Sequence, residues 1–358
     1  MTTAADRWNP TDMPDALYSK FIINGVPQEF TPAGILNPVL EKASEARPVS
    51  GTIVDETFDP APTLLELDPA GIDGYLDKVL AAGELRAPVP FVAPYTRGRI
   101  AAAIIDSAWR SGNFRLDDLP LTAKWSFNPD TVGDMAAFYA SVEAAADYID
   151  NLRLALRRFG CETGAFDVRF ATPFSGAPLL VDDRFHPDPQ SWIVYVPFDT
   201  SDYRLGGSVL ARSLGIGGGI APQVDDPDYL MDCFELVREL AEDGVLLSAG
   251  TVCSGGLMGA LGRMGSEGVG AGIDISGVMR SSGEKDLVRV LFAEVPGAVL
   301  QVRDSDFDYI DAEFILQDVA YFPLGHPSAE AGIRLDNSSR PGVQAILESL
   351  IQNAEGED

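Results

Sequence analysis

Three cysteines in 358 residues, Cys161, Cys233 and Cys253, are too few and too scattered for a disulfide framework or a Cys-x-x-Cys metal site. They fit a reducing compartment. Histidine is scarcer still, with only His186 and His326, each followed by a proline, so a nucleophilic thiol or hydroxyl has little choice of general base. There is no run of about eighteen apolar residues that would cross a bilayer, and the opening MTTAADRWNPTDMPD lacks a basic region followed by an apolar one. The expectation is a cytoplasmic chain with no membrane partner. Lysine is the sharpest deficit: five residues against 54 acids, with a formal charge of −28. Such a field repels phosphate backbones, whose binding depends on cations that neutralise them, so nucleic acid is excluded as a partner. The acids are spread along the chain, with only EGED clustered at the end. They read as a heavily solvated surface, as in a saline or otherwise acid-biased setting.

With 46% hydrophobic residues and this length the chain buries a full core, in one large or two modest domains. Residues 1–48 contain Pro10, Pro14, Pro27, Pro32 and Pro38 and read as an extended arm or linker. Residues 49–198 form a first α/β domain, with a buried helix over 99–108, a long helical pattern over 134–160 closed by Gly160, and β-like runs at 177–181 and 192–196. Residues 199–358 form a second. There Asp226 is a good N-cap with Pro227 in the first helical position, and Leu230, Phe234, Val237 and Leu240 make the buried stripe of a helix that stops at Gly244. Strands are expected at 245–249, 271–275, 298–302 and 319–324, and helices near 307–316 and 342–353. Ser254 is placed to cap a helix that buries Leu257, Leu261 and Met264. Strands alternating with helices argue for an α/β layer.

The most informative stretch is residues 247–275, LSAGTVCSGGLMGALGRMGSEGVGAGIDI. It resembles a segment of the ATP-dependent superfamily built on the aminoimidazole ribonucleotide synthetase fold, where HDxSDGGL precedes a glycine-punctuated helix and a GxxIDI strand. Other landmarks follow in order. RLGGSVLARSLG at 204–215 is similar to LGGSALAQxxG, LFAEVPGAVLQV at 291–302 to LFxExPGxxxEV, and FPLGHPS at 322–328 to a short LGxT-type strand. The helix and strand at 225–250 match the segment before the octet. Upstream, RGRIAAAIIDSAW at 97–109 is similar to ARLAVxEALTNI and LPLTAKWSF at 119–127 to LKLSANWM. The resemblance runs from about residue 49 to about 328 and is greatest to the second half of the phosphoribosylformylglycinamidine synthase large subunit. It implies a PurM/PurL-like two-domain α/β (α+β) unit whose amino-terminal domain forms the dimer-type interface.

Departures from the pattern bear on function. The octet here is Gly250, Thr251, Val252, Cys253, Ser254, Gly255, Gly256, Leu257, so its histidine and both aspartates are gone. On the same matching, the glutamate and asparagine used around magnesium and nucleotide fall on Ile104 and Ala108, the ANW asparagine on Lys124, and the GKDS turn on Gly160, Cys161, Glu162 and Thr163. Magnesium needs hard oxygen ligands, one or two of them carboxylates. The expectation is no catalytic residue, no metal and no cofactor of the chain's own, with ATP and magnesium entering only through a partner half. A register shifted by a residue or more would instead let Asp106 serve. Ser254, Gly255 and Gly256, and Gly206 and Gly207, remain phosphate-binding candidates, because free amides and the helix dipole attract anions at such a turn; the bland alternative is a tight turn that needs glycine. Cys253 is either a nucleophile with a lowered pKa or a buried spectator thiol. Asp182 with Asp183 and Asp225 with Asp226 are cation candidates that read better as caps and turns.

Two readings stay open. In the first, the chain is a degenerate half of a phosphoribosylformylglycinamidine synthase-like protein of purine biosynthesis, completing an interface. Its complementary half would run the ATP-dependent C–N ligase reaction: phosphorylation of the formyl amide oxygen, addition of ammonia and loss of phosphate. The isolated chain is then inactive. In the second, the fold has been recruited as a non-catalytic structural or regulatory homodimer.

Overall fold

The structure is a computed structural model that describes residues 14–42, 51–57, 59–82, 87–112, 114–116 and 119–336. The helix expected over 342–353 lies outside them. The described part of the stretch 1–48 read as an arm is folded: α1 (Pro14–Tyr18), β1 (Lys20–Ile23), β2 (Val26–Pro27) and α2 (Pro32–Leu36), followed by β3 (Thr52–Asp55). Pro32 is accommodated in the first turn of α2, where no amide partner is needed, and the Thr31 hydroxyl accepts from Gly34 N. Strands β2, β1 and β3 pair in that order. Phe21 and Leu36 are fully buried, and the Phe21 ring lies 5.1 Å from that of Tyr139. This segment is part of the core.

Next come α3 (Ile72–Ala81), α4 (Val92–Ala108), β4 (Leu121–Phe127), α5 (Asp134–Asn151), β5 (Leu156–Thr163) and β6 (Asp167–Ala171). Along β4 buried and half-buried residues alternate, putting Leu121, Ala123, Trp125 and Phe127 on the face covered by helices. β4 runs parallel to β5, with α5 as the crossover, and antiparallel to β6. The single helix expected over 134–160 is therefore a helix and a strand. It ends at Asn151, the chain turns at Arg153 with φ +55°, and Gly160 sits inside β5. Gly133, which caps α5, has no side chain to offer. The carboxylate of Asp55, at the end of β3, takes the amides of Gly133, Met135 and Ala136 at 2.9, 2.9 and 3.0 Å.

The remaining elements are β7 (Trp192–Pro197), α6 (Val209–Ser213), α7 (Pro227–Glu242), β8 (Leu246–Val252), α8 (Gly256–Met264), β9 (Gly270–Ile273), α9 (Ser276–Ser282), α10 (Leu287–Phe292), β10 (Gly297–Val302), α11 (Phe307–Leu316), β11 (Phe322–Ser328) and β12 (Ile333–Leu335). Six strands form one mixed sheet in the order β12-β9-β11-β7-β10-β8. Strand β7, assigned above to the first domain, lies in the middle of this sheet, so the sheet begins earlier than residue 199. Residues 177–181 form no strand; Leu179 makes one isolated bridge to Arg110. The strand expected at 319–324 is displaced to Phe322–Ser328. Asp226 caps α7 as expected, accepting from Tyr229 N. Strand β10 is buried throughout, and its one polar side chain, Gln301, is fully used. It accepts from His186 N and Ser248 Oγ and donates to His186 O and Ser191 Oγ.

Helix α4 joins the two sheets, touching α5 and β6 on one side and α7, β8 and β10 on the other. Ile100, Ala101, Ile104, Ile105 and Ala108 are fully buried there. Its carboxyl end is held by the buried Arg238 of α7, whose guanidinium donates to the carbonyls of Ala108, Arg110 and Gly112 and lies 4.4 Å over the Phe114 ring. Among the described residues no helix is long and apolar enough to cross a membrane. Replacing the shared cap, Asp55→Ala, leaves three amides at the start of α5 without a protein acceptor and is expected to cost about 1–2 kcal/mol. Urea unfolding measures it, and an unchanged midpoint would show that β3 does not hold α5.

Candidate functional site

The two glycine turns picked out from the sequence converge on one small cavity of about 30 Å³, bounded by Gly206, Gly207, Ser208, Cys253, Ser254, Glu294, Tyr95 and Arg99. After β8 the chain turns so that Gly256 N donates to Cys253 O at 2.9 Å, with Gly255 and Gly256 both in left-handed conformations. A Cβ on Gly256 would stand 2.7–2.8 Å from the backbone of Leu291, Phe292 and Ala293. Only glycine fits between α8 and α10 there. The N-cap of α8 is Gly255 and not Ser254, because the turn reaches helical geometry one residue later than expected. Gly206 presses on Ile220 in the same manner, its amide donating to Ile220 O at 2.7 Å. Gly207 lies against the Phe91 ring.

The amides that a phosphate would seek are partly taken by the protein. Glu294 Oε1 accepts from Gly255 N at 2.8 Å and from Val209 N at 2.7 Å, tying the starts of α8 and α6 to one carboxylate. Burial pushes this carboxyl above the usual range, while the two amides, Arg212 and Arg99 pull it down. Sequence reasoning quoted the segment around Glu294 without assigning it a role. Arg99, Arg212 and Arg263 were also missed, and they come from α4, α6 and α8.

These arginines line a larger cleft of about 920 Å³ between α4, α8 and the β6 side of the three-stranded sheet. Arg263 Nη1 donates to Ser254 O at 3.0 Å and Arg212 Nε to Gly207 O at 2.9 Å, so each rests on one glycine turn. Arg99 Nη2 donates to Tyr95 Oη at 2.7 Å, Tyr95 donates onward to Asp167 at 2.8 Å, and the Arg99 guanidinium lies 4.9 Å over the Tyr95 ring. The acids of the cleft have near partners: Asp106 with Arg110, Glu162 with Lys124, and Asp167 with Tyr95 and Arg169.

The positions matched to nucleotide and magnesium ligands stand apart from this polar wall. Ile104 and Ala108 are sealed in the core, and Thr251 Oγ1 accepts from Trp109 Nε1 at 3.0 Å. Residues Gly160, Cys161, Glu162 and Thr163 run along β5 instead of forming a turn, with Glu162 paired to Lys124. Asp106, the alternative ligand, is held by Arg110. Among the described residues no group of three or more His, Cys, Asp or Glu side chains is arranged to hold a metal. Asp182 lies 3.3 Å from His186, Asp183 beside Arg184, and Asp226 caps α7; Asp225 is exposed. This donor set does not fit a magnesium nucleotide.

Cys253 lies beside these arginines, its thiol donating to Gly98 O at 3.6 Å. Burial pushes it up to about 11 although Arg99 and Arg263 pull it down. Neither histidine borders it: the His326 ring lies tilted against Trp192 and contacts Ser191 O, and His186 lies near Asp182. Burial likewise lifts Cys161 to about 12 and Cys233 well above its ordinary value.

No family model matches the chain. Human phosphoribosylformylglycinamidine synthase is 28% identical over 234 residues, covering 61% of this chain and 17% of that protein. Among solved structures, PurL of Thermotoga maritima complexed with FGAR is similar with a TM-score of 0.53 at 13% identity, over 71% of this chain and 42% of that one. The PurLQS structure from the same organism gives 0.50 at 14% identity, over 74% and 46%. The chain thus spans less than half the length of each of these proteins, and the structural likeness is one of fold.

The thiols give a direct test. Ordinary thiols ionise near 9.0, and Cys253 stays protonated in the fold to about 11. The folded state therefore holds more protons than the unfolded chain between these values. The stability this contributes is intact below about pH 9 and is lost as pH rises through about 11. Ellman's reagent at pH 8 is expected to label the native cysteines far more slowly than the denatured ones, and Cys253→Ser is expected to flatten part of the alkaline loss. Rapid native labelling of Cys253 would mark it instead as an accessible nucleophile.

Proposed function

We propose that this chain, which has the fold of the aminoimidazole ribonucleotide synthetase-like superfamily, serves as a degenerate half of a phosphoribosylformylglycinamidine synthase-like assembly. It supplies an interface and leaves the nucleotide and the amide chemistry to a complementary half. One observation carries the reading. Where magnesium and nucleotide ligands are expected in this fold, Ile104 and Ala108 are fully buried and Thr251 is occupied by the Trp109 indole. A cation there would meet no carboxylate, and water would have to enter the core to solvate it. The three-stranded sheet supports an interface role. One face is packed under helices, and the other presents Lys124, Arg158, Glu162 and Arg169 at least partly to solvent. Such a face suits a partner of alternating charge better than an apolar one.

Affinity purification of the tagged chain from its native host, followed by native mass spectrometry, tests the proposal. The expected result is a stoichiometric second chain that carries an intact acid-rich nucleotide motif. A bare homodimer would favour a recruited scaffold. By calorimetry the isolated chain is expected not to bind ADP with magnesium, and micromolar binding would overturn the claim of a lost nucleotide site.

Restoring the family's acid should not restore its chemistry. Ile104→Glu places an unpaired carboxylate in the core and is expected to cost about 3 kcal/mol or more, read from the urea midpoint, with no gain of magnesium affinity. An unchanged midpoint would mean that position 104 has access to water or to a cation.

A further inference from the structure

Helices α7 and α11 lie side by side and antiparallel on one face of the six-stranded sheet. Tyr309, at the amino end of α11, donates to Asp243 just past α7, and Ala320 N, beyond α11, donates to Tyr229 Oη near the start of α7. The buried side of α11 carries Ile310 and Phe314. At 100° per residue Tyr309 and Ile315 fall on opposite flanks of that side, so Ile315 points away from α7. It is 66% exposed, and Leu316 beside it is 76% exposed. The sheet next to this flank is bare. Pro323 of β11 stands opposite Val194, which belongs to the core under α7 and α11, yet Pro323 itself is exposed. His326 stands opposite Gly272 of β9 and lies against Trp192 on the same face. Gly272, half-buried, is in turn opposite the exposed Arg334 of β12. The other face of these strands is sealed: Leu324, Ala271, Ile273 and Ile333 are buried in the second core cluster. A trough with a glycine floor thus runs beside α11. From β11 to β12 it spans two strand spacings, about 10 Å, which is about the width of a helix with its side chains.

One segment of the chain has the dimensions and the chemistry for this trough. Asp336 N donates to Ile273 O where β12 ends, at the end of the sheet where β11 begins after α11. From there residues 337–341 can span about 17 Å, more than the width of the trough. Residues 342–353 lie outside the described residues. They carry Val343, Ile346, Leu347, Leu350 and Ile351 at steps of three and four, with Gln344, Glu348, Ser349 and Gln352 on the remaining positions. As a helix they would be about 18 Å long, against about 15 Å for α11. We propose that residues 342–353 form an amphipathic helix that docks in this trough alongside α11, its apolar stripe covering Ile315, Pro323 and the glycine floor. The sheet then has a third helix on this face, next to α7 and α11, as a layered α/β domain requires. The inference is independent of the reading of the nucleotide site.

Thiol labelling on the full chain tests it. Ile315→Cys is treated with N-ethylmaleimide, and the rate is read by peptide mass spectrometry against that of Val26→Cys, a position 60% exposed on β2. The thiol introduced at position 315 is expected to react about tenfold slower or more, because the docked segment covers it, and Leu347→Asp or Leu350→Asp in the same chain is expected to bring the two rates together. The wild-type chain gives a second measurement that needs no variant. Amides of residues 343–352 are expected to exchange with deuterium about tenfold slower or more than in a synthetic peptide of residues 337–358, to the same extent at low and high protein concentration. Equal labelling at positions 315 and 26, or exchange as fast as in the free peptide, would overturn the proposal. So would protection that grows with protein concentration, which would give the trough to a second copy of the chain.

Discussion

The carboxylate of Glu294 is the constraint on which the cleft is built. By accepting from Gly255 N and Val209 N it fixes the starts of two helices against the loop that leads into β10. It also places a negative group where the dipole of α8 would otherwise favour an external anion. The glycine turns are therefore shaped from within: Gly256 admits the backbone of α10, and Gly206 admits Ile220. An internal anion at that point changes what the neighbouring cations are for. Arg212 and Arg99 moderate the burial of Glu294, and both also line the cleft.

Helix α4 is the element that ties the two sheets together. It packs against both sheets at once, with one part of its surface in the core and another on the cleft wall. Ile104 and Ala108 lie in the core, where full burial of an isoleucine is worth about 1.5–3 kcal/mol, while Arg99 and Asp106 lie on the wall. Arg238 fixes the far end of the helix through three carbonyls. Packing thus holds its middle and hydrogen bonds its carboxyl end.

The fold was legible wherever local rules agree with tertiary placement. Asp226 before Pro227 marked the start of α7, and the run from Ala298 to Val302 marked a strand that is buried along its whole length. The order of landmarks pointed to the superfamily, and the structure has that fold. Failures came where a local signal was overruled. Apolar spacing continues past Asn151 into β5, so periodicity alone ran helix and strand together, although the left-handed Arg153 separates them. Strand β7 was placed with the elements that precede it in sequence, whereas its partners are β10 and β11, more than 90 residues further on. The site was half legible. Both glycine turns could be picked out, but the arginines that give the cleft its charge come from α4, α6 and α8, and only folding brings them together.

The contrast between surface and cleft in charge has a physical consequence. A chain of net charge −28 repels small anions at long range, yet the Debye length at physiological salt is about 8 Å, so most of the distant surface charge is screened before an anion reaches the cleft. Arg99 and Arg263 line the cleft, where charges at short range beside low-dielectric walls are screened much less. Moderate salt then removes repulsion faster than it removes attraction. An acidic surface and a cleft lined by cations are compatible on one molecule provided the cations are held in place, as Arg99 is by Tyr95 Oη and Arg263 by Ser254 O. Arginine meets these conditions better than lysine, because its planar fork is partly organised before the ligand arrives. The chain has 21 arginines to five lysines, and among the described residues every basic side chain lining this cleft is an arginine.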